Sequence, residues 1–144
     1  MLALREPSSP QAGVTFHQML ERIRYEGAYP TLQRAEDVTR TVLQALGRQL
    51  SAEARAELAA CLPADAASAL ADHQPHSGPL TGWGFVKDLA TRTDTAPAVA
   101  RWDTGAVLSV VGRLAGEALI TRIIEQLPEG YALLFGRAEL VRAA

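Results

Sequence analysis

The sequence predicts an all-α protein in which two pseudo-symmetric helical repeats pack into one bundle-like domain. Apolar residues recur every three to four positions along most of the chain, which is the spacing of one helix face. No segment shows the polar–apolar alternation between turns that is typical of strands. The stretch VLQALGRQL, which begins at Val42, returns as VLSVVGRLA from Val107, 65 positions later. Together these observations predict two repeats of about three to four helices each.

The first repeat, residues 14–72, has the pattern of four helices whose starts carry capping residues or proline. A capping-box pattern at Thr15 predicts the first start, and Ser51 predicts the start of the third helix. Pro63 separates the third helix from the fourth, because proline disfavours helical geometry in the residue before it. The expected helices cover about Thr15 to Gly27, 31–49, Ser51 to Leu62 and 64–72.

The second repeat, residues 83–136, follows a linker at 73–82 that is rich in Pro, Gly, Ser and His. Near its start the offset becomes 69 positions and pairs Phe16 with Phe85. Its third helix has more apolar residues than one stripe needs, so we expect it to be buried on two sides. We expect one domain over 14–136, preceded by a disordered tail at 1–13. The expected helices of this repeat are 85–93, 97–114, 117–126 and 128–135.

Composition and charge argue against several classes of function. Hydrophobic residues make up 48% of the chain and charged residues 21%, which is typical of a globular protein. The formal net charge of −2 argues against nucleic-acid binding, which depends on a basic surface that neutralises phosphates. No apolar run reaches the ~18 residues of a membrane span. The single cysteine, Cys61, excludes an intramolecular disulfide. We therefore expect a cytoplasmic protein with neither nucleic-acid nor membrane partners.

A resemblance to a known family rests on residues that occur in the same order in both repeats. Phe16 and Ala35 precede the Leu-Pro ending of VLQALGRQLSAEARAELAACLP, and Phe85 and Ala100 precede that of VLSVVGRLAGEALITRIIEQLP. This combination resembles the bacterial family called domain of unknown function 2267, over about residues 14–135. The resemblance implies a compact helical protein, and it carries no activity, cofactor or catalytic residue over to this chain.

Arg48 and Arg113 lie at matching points near the ends of the two long helices, and two interpretations stay open. In one, a pseudo-twofold axis brings both guanidinium groups to a single cleft, where they clamp a carboxylate or phosphate. In the other, each is a cation that interacts with the free carbonyls in the last turn of its own helix. We favour the second, because it explains both positions without a ligand. Gly47 and Gly112 are expected to serve close helix packing or a turn.

Trp102 is the third candidate for a binding surface, because tryptophan is enriched at interface hot spots. His73 and His76 have His-x-x-His spacing, but too few further ligands surround them in sequence for a metal site. His17 is expected on a solvated helix face. Cys61 is expected to be a buried, inert thiol.

Motifs for catalysis are missing from the sequence: it has no Ser-His-Asp order, phosphate loop or dinucleotide fingerprint. Acids such as Asp37 and Asp103 are expected to be solvated charges. We therefore predict no catalytic residue, cofactor or metal, and a non-enzymatic role. The first hypothesis is a protein–protein interaction or self-association module, with the apolar tail 131–144 as its docking segment. The alternative is a small-ligand or anion-binding protein, including the case of an enzyme, with its site at the repeat interface.

Overall fold

Eight helices make up the part of the chain that the structure describes, residues 14–72 and 78–137. The structure is a computed structural model. These residues contain no strand, so the all-α prediction is confirmed, and none of their helices is long and apolar enough to cross a membrane. The expected tail at 1–13 and linker residues 73–77 lie outside the described ranges. The helices are α1 (Phe16–Gly27), α2 (Leu32–Gln49), α3 (Ala52–Ala59), α4 (Ala64–Ala71), α5 (Gly82–Thr93), α6 (Pro97–Ala115), α7 (Glu117–Gln126) and α8 (Tyr131–Leu134).

Side-chain caps explain where four of these helices begin. Thr15, Thr31, Ser51 and Thr81 each accept a hydrogen bond from the backbone N–H three residues later. At α1 the side chain of Gln18 also accepts from the backbone N–H of Thr15, so the predicted capping box is present. Each hydroxyl supplies an acceptor to an N–H that has none within its own helix. These helix starts are therefore determined locally.

The two long helices, α2 and α6, lie at the centre of the bundle. α1 packs against both of them, and α4 packs against α2 and α3. α5 packs mainly against α6 and less extensively against α2, while α7 and α8 cover α6. One cluster of buried side chains includes residues from all eight described helices. The helices therefore share a single core and form one domain.

The contact between α2 and α4 depends on Gly47. A Cβ atom at this position would collide with the backbone carbonyl oxygen of Leu70 in α4, which agrees with the close packing expected from the sequence. Gly112, near the end of α6, is different, because a Cβ there would meet only Cδ1 of Phe135, at 4.0 Å. Two glycines in matching sequence contexts thus have different packing.

α1 and α5 resemble each other, but not in the register expected from the sequence. Both are 12 residues long and both follow a threonine N-cap, Thr15 in one and Thr81 in the other. Counted from these caps, the two helices are 66 positions apart. The expected pairing of Phe16 with Phe85 is therefore wrong, and the first ring is half-buried whereas the second is buried. The pseudo-symmetry of the two halves stays a prediction.

Three details of the second half also differ from expectation. α5 begins at Gly82, before the predicted Phe85, because Thr81 provides its cap. α8 is a single turn that begins at Tyr131 and not at Pro128. α7 is covered on one side and not on two. Its buried residues are Leu119, Ile120 and Ile123.

Candidate functional site

Arg48 and Arg113 lie in the last turns of α2 and α6, as the sequence predicted. Nη2 of Arg113 donates to Oε2 of Glu26 over 2.7 Å and so joins α6 to the end of α1. Arg48 is half-buried near Arg92 and Asp88 of α5, and its burial, followed by the positive charge of Arg92, lowers the pKa of its guanidinium. Arg113 thus pairs with α1, whereas charged neighbours of Arg48 lie on α5, and neither surface cleft that Arg113 lines includes Arg48.

A different arginine binds the carbonyls at the end of α2. Arg55 of α3 donates from Nε to the carbonyl of Gly47 and from Nη2 to the carbonyl of Leu50, each over 3.1 Å. These carbonyls lie at a helix end, where intrahelical donors are missing. Arg55 therefore has the contacts that the sequence had suggested for Arg48. Its contribution was not foreseen, because it depends on the angle between α2 and α3.

Trp102 joins α6 to the C-terminal end of α1. Its Nε1 donates to the carbonyl of Gly27 over 2.9 Å, although 57% of the residue is exposed. The neighbouring Asp103 accepts a 2.6 Å hydrogen bond from the hydroxyl of Tyr29. The buried Tyr29 ring lies against Gly27, where a Cβ atom would collide with it. We name Gly27, Tyr29, Trp102 and Asp103 the aromatic corner. Trp102 thus has a structural contact as well as an exposed face.

Two buried tyrosine hydroxyls act as permanent hydrogen-bond donors. Burial, and then the hydrogen bond to Asp103, raise the pKa of Tyr29 far above its usual value. Burial likewise raises the pKa of Tyr131, whose hydroxyl donates to the carbonyl of Leu80 over 3.0 Å. Both hydroxyls therefore keep their protons at neutral pH and hold segments that lie outside the helices.

A cleft lies between α2, α5 and α6, where α5 packs less extensively on α2 than α1 does on α6. Its volume is about 90 Å³. Its floor is apolar and buried, and consists of Val38, Val42, Leu89 and Ala100. Its polar residues are Arg34, Asp37, Thr41, Thr93, Thr95 and Asp103. We name it the polar cleft.

Two residues of the polar cleft lie at the same distances from helix ends and N-caps as two residues of the aromatic corner. Tyr29 follows the left-handed residue that ends α1, and Thr95 follows the left-handed residue that ends α5. Trp102 is the sixth residue after the N-cap of α6, and Asp37 is the sixth after the N-cap of α2. Tyr29 and Trp102 of the aromatic corner thus correspond to Thr95 and Asp37 of the polar cleft. The side chains that line the cleft at these positions are therefore smaller than the two rings of the aromatic corner.

The threonine hydroxyls of the polar cleft direct their protons to the protein itself. Thr41 donates to the carbonyl of Asp37, and Thr93 to the carbonyl of Leu89, each over 2.8 Å. The hydroxyl oxygens of Thr93 and Thr95 lie 2.9 Å apart. Since a hydroxyl has one proton, Thr95 is the donor in this bond. The remaining lone pairs of these three hydroxyls can only accept hydrogen bonds.

Two carboxylates add further acceptors to the polar cleft. Nε2 of Gln33 donates to Oδ1 of Asp37 over 2.9 Å, and the Tyr29 hydroxyl donates to Oδ1 of Asp103. Oδ2 of each carboxylate makes no hydrogen bond to another described residue. Arg34 is the one cationic side chain among the described residues of the lining. The polar cleft is therefore rich in acceptors, and its carboxylates outnumber its cation.

Among the described residues, His17 and Cys61 show no arrangement for metal binding. His17 contacts Glu21 at 3.3 Å on the exposed surface of α1, and His73 and His76 lie outside the described residues. Within the described ranges, no three or more His, Cys, Asp or Glu side chains group together to hold a metal ion. Cys61 is half-buried where full burial was expected, and burial, followed by a neighbouring carboxylate, raises the pKa of its thiol.

The fold and the polar cleft define a compact all-helical protein with a small polar site between its central helices. The chain belongs to the family described as Uncharacterized conserved protein (DUF2267), which it matches over residues 16–134. The resemblance noted in the sequence is therefore confirmed. No curated protein matches the chain. The family description assigns no activity, so the function has to be argued from the site.

The polar cleft was not foreseen from the sequence, although a signal for it was present. Asp37 and Asp103 were interpreted as solvated charges on polar helix faces. At the 65-position offset, however, Trp102 corresponds to Asp37. If α5 packs on α2 as α1 packs on α6, a small polar side chain in place of a large ring predicts a space lined by polar groups.

Proposed function

We propose that this protein is a binding module that holds a small polar ligand in the polar cleft. The observation that supports this proposal is the contrast between the cleft and the aromatic corner. Protein interiors are normally close-packed, and in the aromatic corner the buried Tyr29 ring lies directly against Gly27. An apolar floor with a few convergent polar groups is the usual composition of a ligand pocket. A space of this kind, at positions where aromatic rings fill the equivalent corner, supports a binding role.

The proposed role is binding without catalysis. Among the described residues, no His, Cys or Lys lines the polar cleft. A nucleophilic hydroxyl needs a base that accepts its proton. Thr41 and Thr93 instead donate to backbone carbonyls, and Thr95 donates to a neighbouring hydroxyl. These bonds support a set of fixed acceptors and not an activated nucleophile.

This proposal follows the ligand-binding alternative but moves the site away from Arg48 and Arg113. The interaction hypothesis stays a prediction. The described part of its suspected docking tail packs within the chain, where the Tyr131 ring lies 5.8 Å from that of Phe85. The exposed large apolar side chains of the described residues are spread over α1, α5, α6 and α8. The surface therefore offers less support for this hypothesis than the polar cleft offers for ligand binding.

A fragment screen by NMR tests the proposal. Small cationic, anionic and neutral polar fragments are titrated into the ¹⁵N-labelled protein. We expect at least one chemical class to shift the backbone amide signals of Thr41, Leu89, Thr95 and Ala100. The proposal is overturned if no class shifts these signals, because the cleft would then be an unused gap.

A pair of variants makes the screen specific. Thr95→Tyr places in the cleft the side chain that position 29 has in the aromatic corner, and it should abolish the localised shifts. Thr91→Tyr adds the same ring on the exposed side of α5, so it should retain them. Far-UV circular dichroism checks that both variants fold, and Asp37→Trp is the second filling variant. Shifts that persist in a folded, filled variant would also contradict the proposal.

A further inference from the structure

We propose that the polar cleft binds a short primary alkylammonium compound, an inference that rests on the proposed function. It follows from three properties of the cleft, which are its excess of hydrogen-bond acceptors, its charge and its size. Each of these properties restricts the ligand in a different way.

The acceptors that line the polar cleft favour a ligand that donates hydrogen bonds. α2 contributes Asp37 and Thr41, α6 contributes Asp103, and the end of α5 with its following turn contributes two threonine hydroxyls. All three hydroxyls have already committed their protons within the protein. A primary ammonium has three N–H donors and no acceptor. It can therefore bind acceptors from all three sides of the cleft, which a carboxylate or an ether cannot do.

The charge of the polar cleft favours a cation. Asp37 and Asp103 outnumber the single guanidinium of Arg34. Neither carboxylate forms a salt bridge with Arg34, so both keep their negative charge uncompensated by it. Hydrogen bonds that join a cation to a carboxylate are stronger than those between neutral groups. Two carboxylates against one guanidinium also disfavour an anion.

The floor and the volume of the cleft favour a short alkyl chain. Val38, Val42, Leu89 and Ala100 form an apolar surface that a hydrated metal ion cannot use. The volume is about 90 Å³, whereas a cavity that takes up benzene measures about 150 Å³. The ligand body therefore has roughly two to four carbon atoms. Ethylammonium is the simplest probe with both the charged head and the apolar body.

Titrations with three probes of similar size test the inference. Ethylammonium chloride, ethanol and sodium acetate are added at constant ionic strength while the amide signals of Thr41, Leu89 and Thr95 are followed by NMR. We expect ethylammonium to bind at least about tenfold more tightly than either of the others, since it alone combines positive charge with three donors. The matched ionic strength separates specific binding from general screening by salt.

Variants that change the charge of the cleft should change the affinities for a cationic and an anionic ligand in opposite directions. Asp37→Asn should weaken ethylammonium binding by about fivefold, because it removes a charged acceptor. Arg34→Gln should tighten it by about twofold to fivefold, because it removes a repelling charge. Glu125→Gln is the control, since this exposed α7 residue does not line the cleft. It should leave the affinity unchanged.

The outcomes separate this inference from the proposed function. If acetate or ethanol shifts the cleft signals more strongly than ethylammonium, the cleft binds ligands but not ammonium, and the inference fails while the proposed function stands. If Arg34→Gln weakens ethylammonium binding, the charge argument is wrong and the inference again fails. If none of the probes and no fragment of any class binds, both fail.

Discussion

Tyr29 shows how much a single side chain contributes to this structure. Its ring lies against Gly27, and its hydroxyl donates to Asp103 on another helix. Tyr131 has a similar role, because its ring meets that of Phe85 and its hydroxyl binds the carbonyl of Leu80. Each tyrosine therefore joins an apolar contact to a directed hydrogen bond. Neither can lose its proton without losing that bond.

We predict that alkali destabilises the protein through these two tyrosines. Folding raises the pKa of Tyr29 and of Tyr131, so the folded state holds both protons more tightly than the unfolded chain does. This stabilisation is complete below the ordinary tyrosine pKa of about 10 and is lost as the pH rises through the folded-state pKa. Above pH ~10, the free energy of unfolding should fall by about 1.4 kcal/mol per pH unit for each tyrosine.

Urea unfolding at several pH values between about 9 and 11.5 measures this slope. Tyr29→Phe and Tyr131→Phe should each make it shallower by about 1.4 kcal/mol per pH unit. Tyr25→Phe is the control, because 85% of Tyr25 is exposed and its replacement should leave the slope unchanged. Equal slopes in all three variants would show that the buried hydroxyls do not control alkaline stability.

At the scale of the helices, close approach distinguishes two glycines of similar sequence context. Gly47 lets α2 lie against the backbone of α4, since a Cβ atom would collide with the Leu70 carbonyl. Gly112 has room for a methyl group beside Phe135. In the interior of a helix, glycine costs about 0.8–1.0 kcal/mol relative to alanine. At Gly47 the close contact compensates for this cost, whereas at Gly112 packing does not.

We therefore predict opposite effects for the same substitution. Gly47→Ala should destabilise the protein by about 1–3 kcal/mol, because the helices must separate to admit the methyl group. Gly112→Ala should stabilise it by up to about 1 kcal/mol. Thermal unfolding of both variants, followed by far-UV circular dichroism, measures the difference. A destabilising effect of Gly112→Ala would mean that α6 needs its flexibility at this point.

The helices themselves could largely be predicted from the sequence, because their determinants are local. The capping box at Thr15 and the cap at Ser51 correctly marked two helix starts. The packing of α7 was not predictable in the same way, since its apolar residues exceed those that its neighbours cover. Arg55 and the polar cleft also depend on angles between helices. The periodicity of apolar residues in a sequence does not determine those angles.

The whole molecule is held together by contacts between its two halves. α1 packs against α6 as well as α2. The hydrogen bonds of Trp102 and Tyr29 and the ion pair of Arg113 with Glu26 all join these halves. Because the buried cluster is continuous through the described helices, neither half has a separate core. We therefore expect the halves to unfold together.

Cooperative unfolding can be tested with a single fluorescent reporter. In the variant Trp83→Phe, which replaces an exposed ring, Trp102 at the α1–α6 contact is the one remaining tryptophan. Its fluorescence reports on the docking of the halves, and far-UV circular dichroism reports on helix content. We expect both to give the same urea midpoint, as a two-state domain requires. A fluorescence transition at lower urea would show that the halves separate before they unfold.

The aromatic corner also bears on how this sequence can diverge. Tyr29 and Trp102 join α6 to the end of α1 and the residues after it, and these hydrogen bonds do not involve the side chains of Asp37 and Thr95. Exchanges at those two positions would alter the shape and charge of the cleft while the hydrogen bonds of Tyr29 and Trp102 stay in place. Asp37 is exposed and Thr95 is half-buried, and surface substitutions usually change stability by less than about 0.5 kcal/mol. The chain thus separates residues that join its halves from cleft-lining residues that selection or design can exchange.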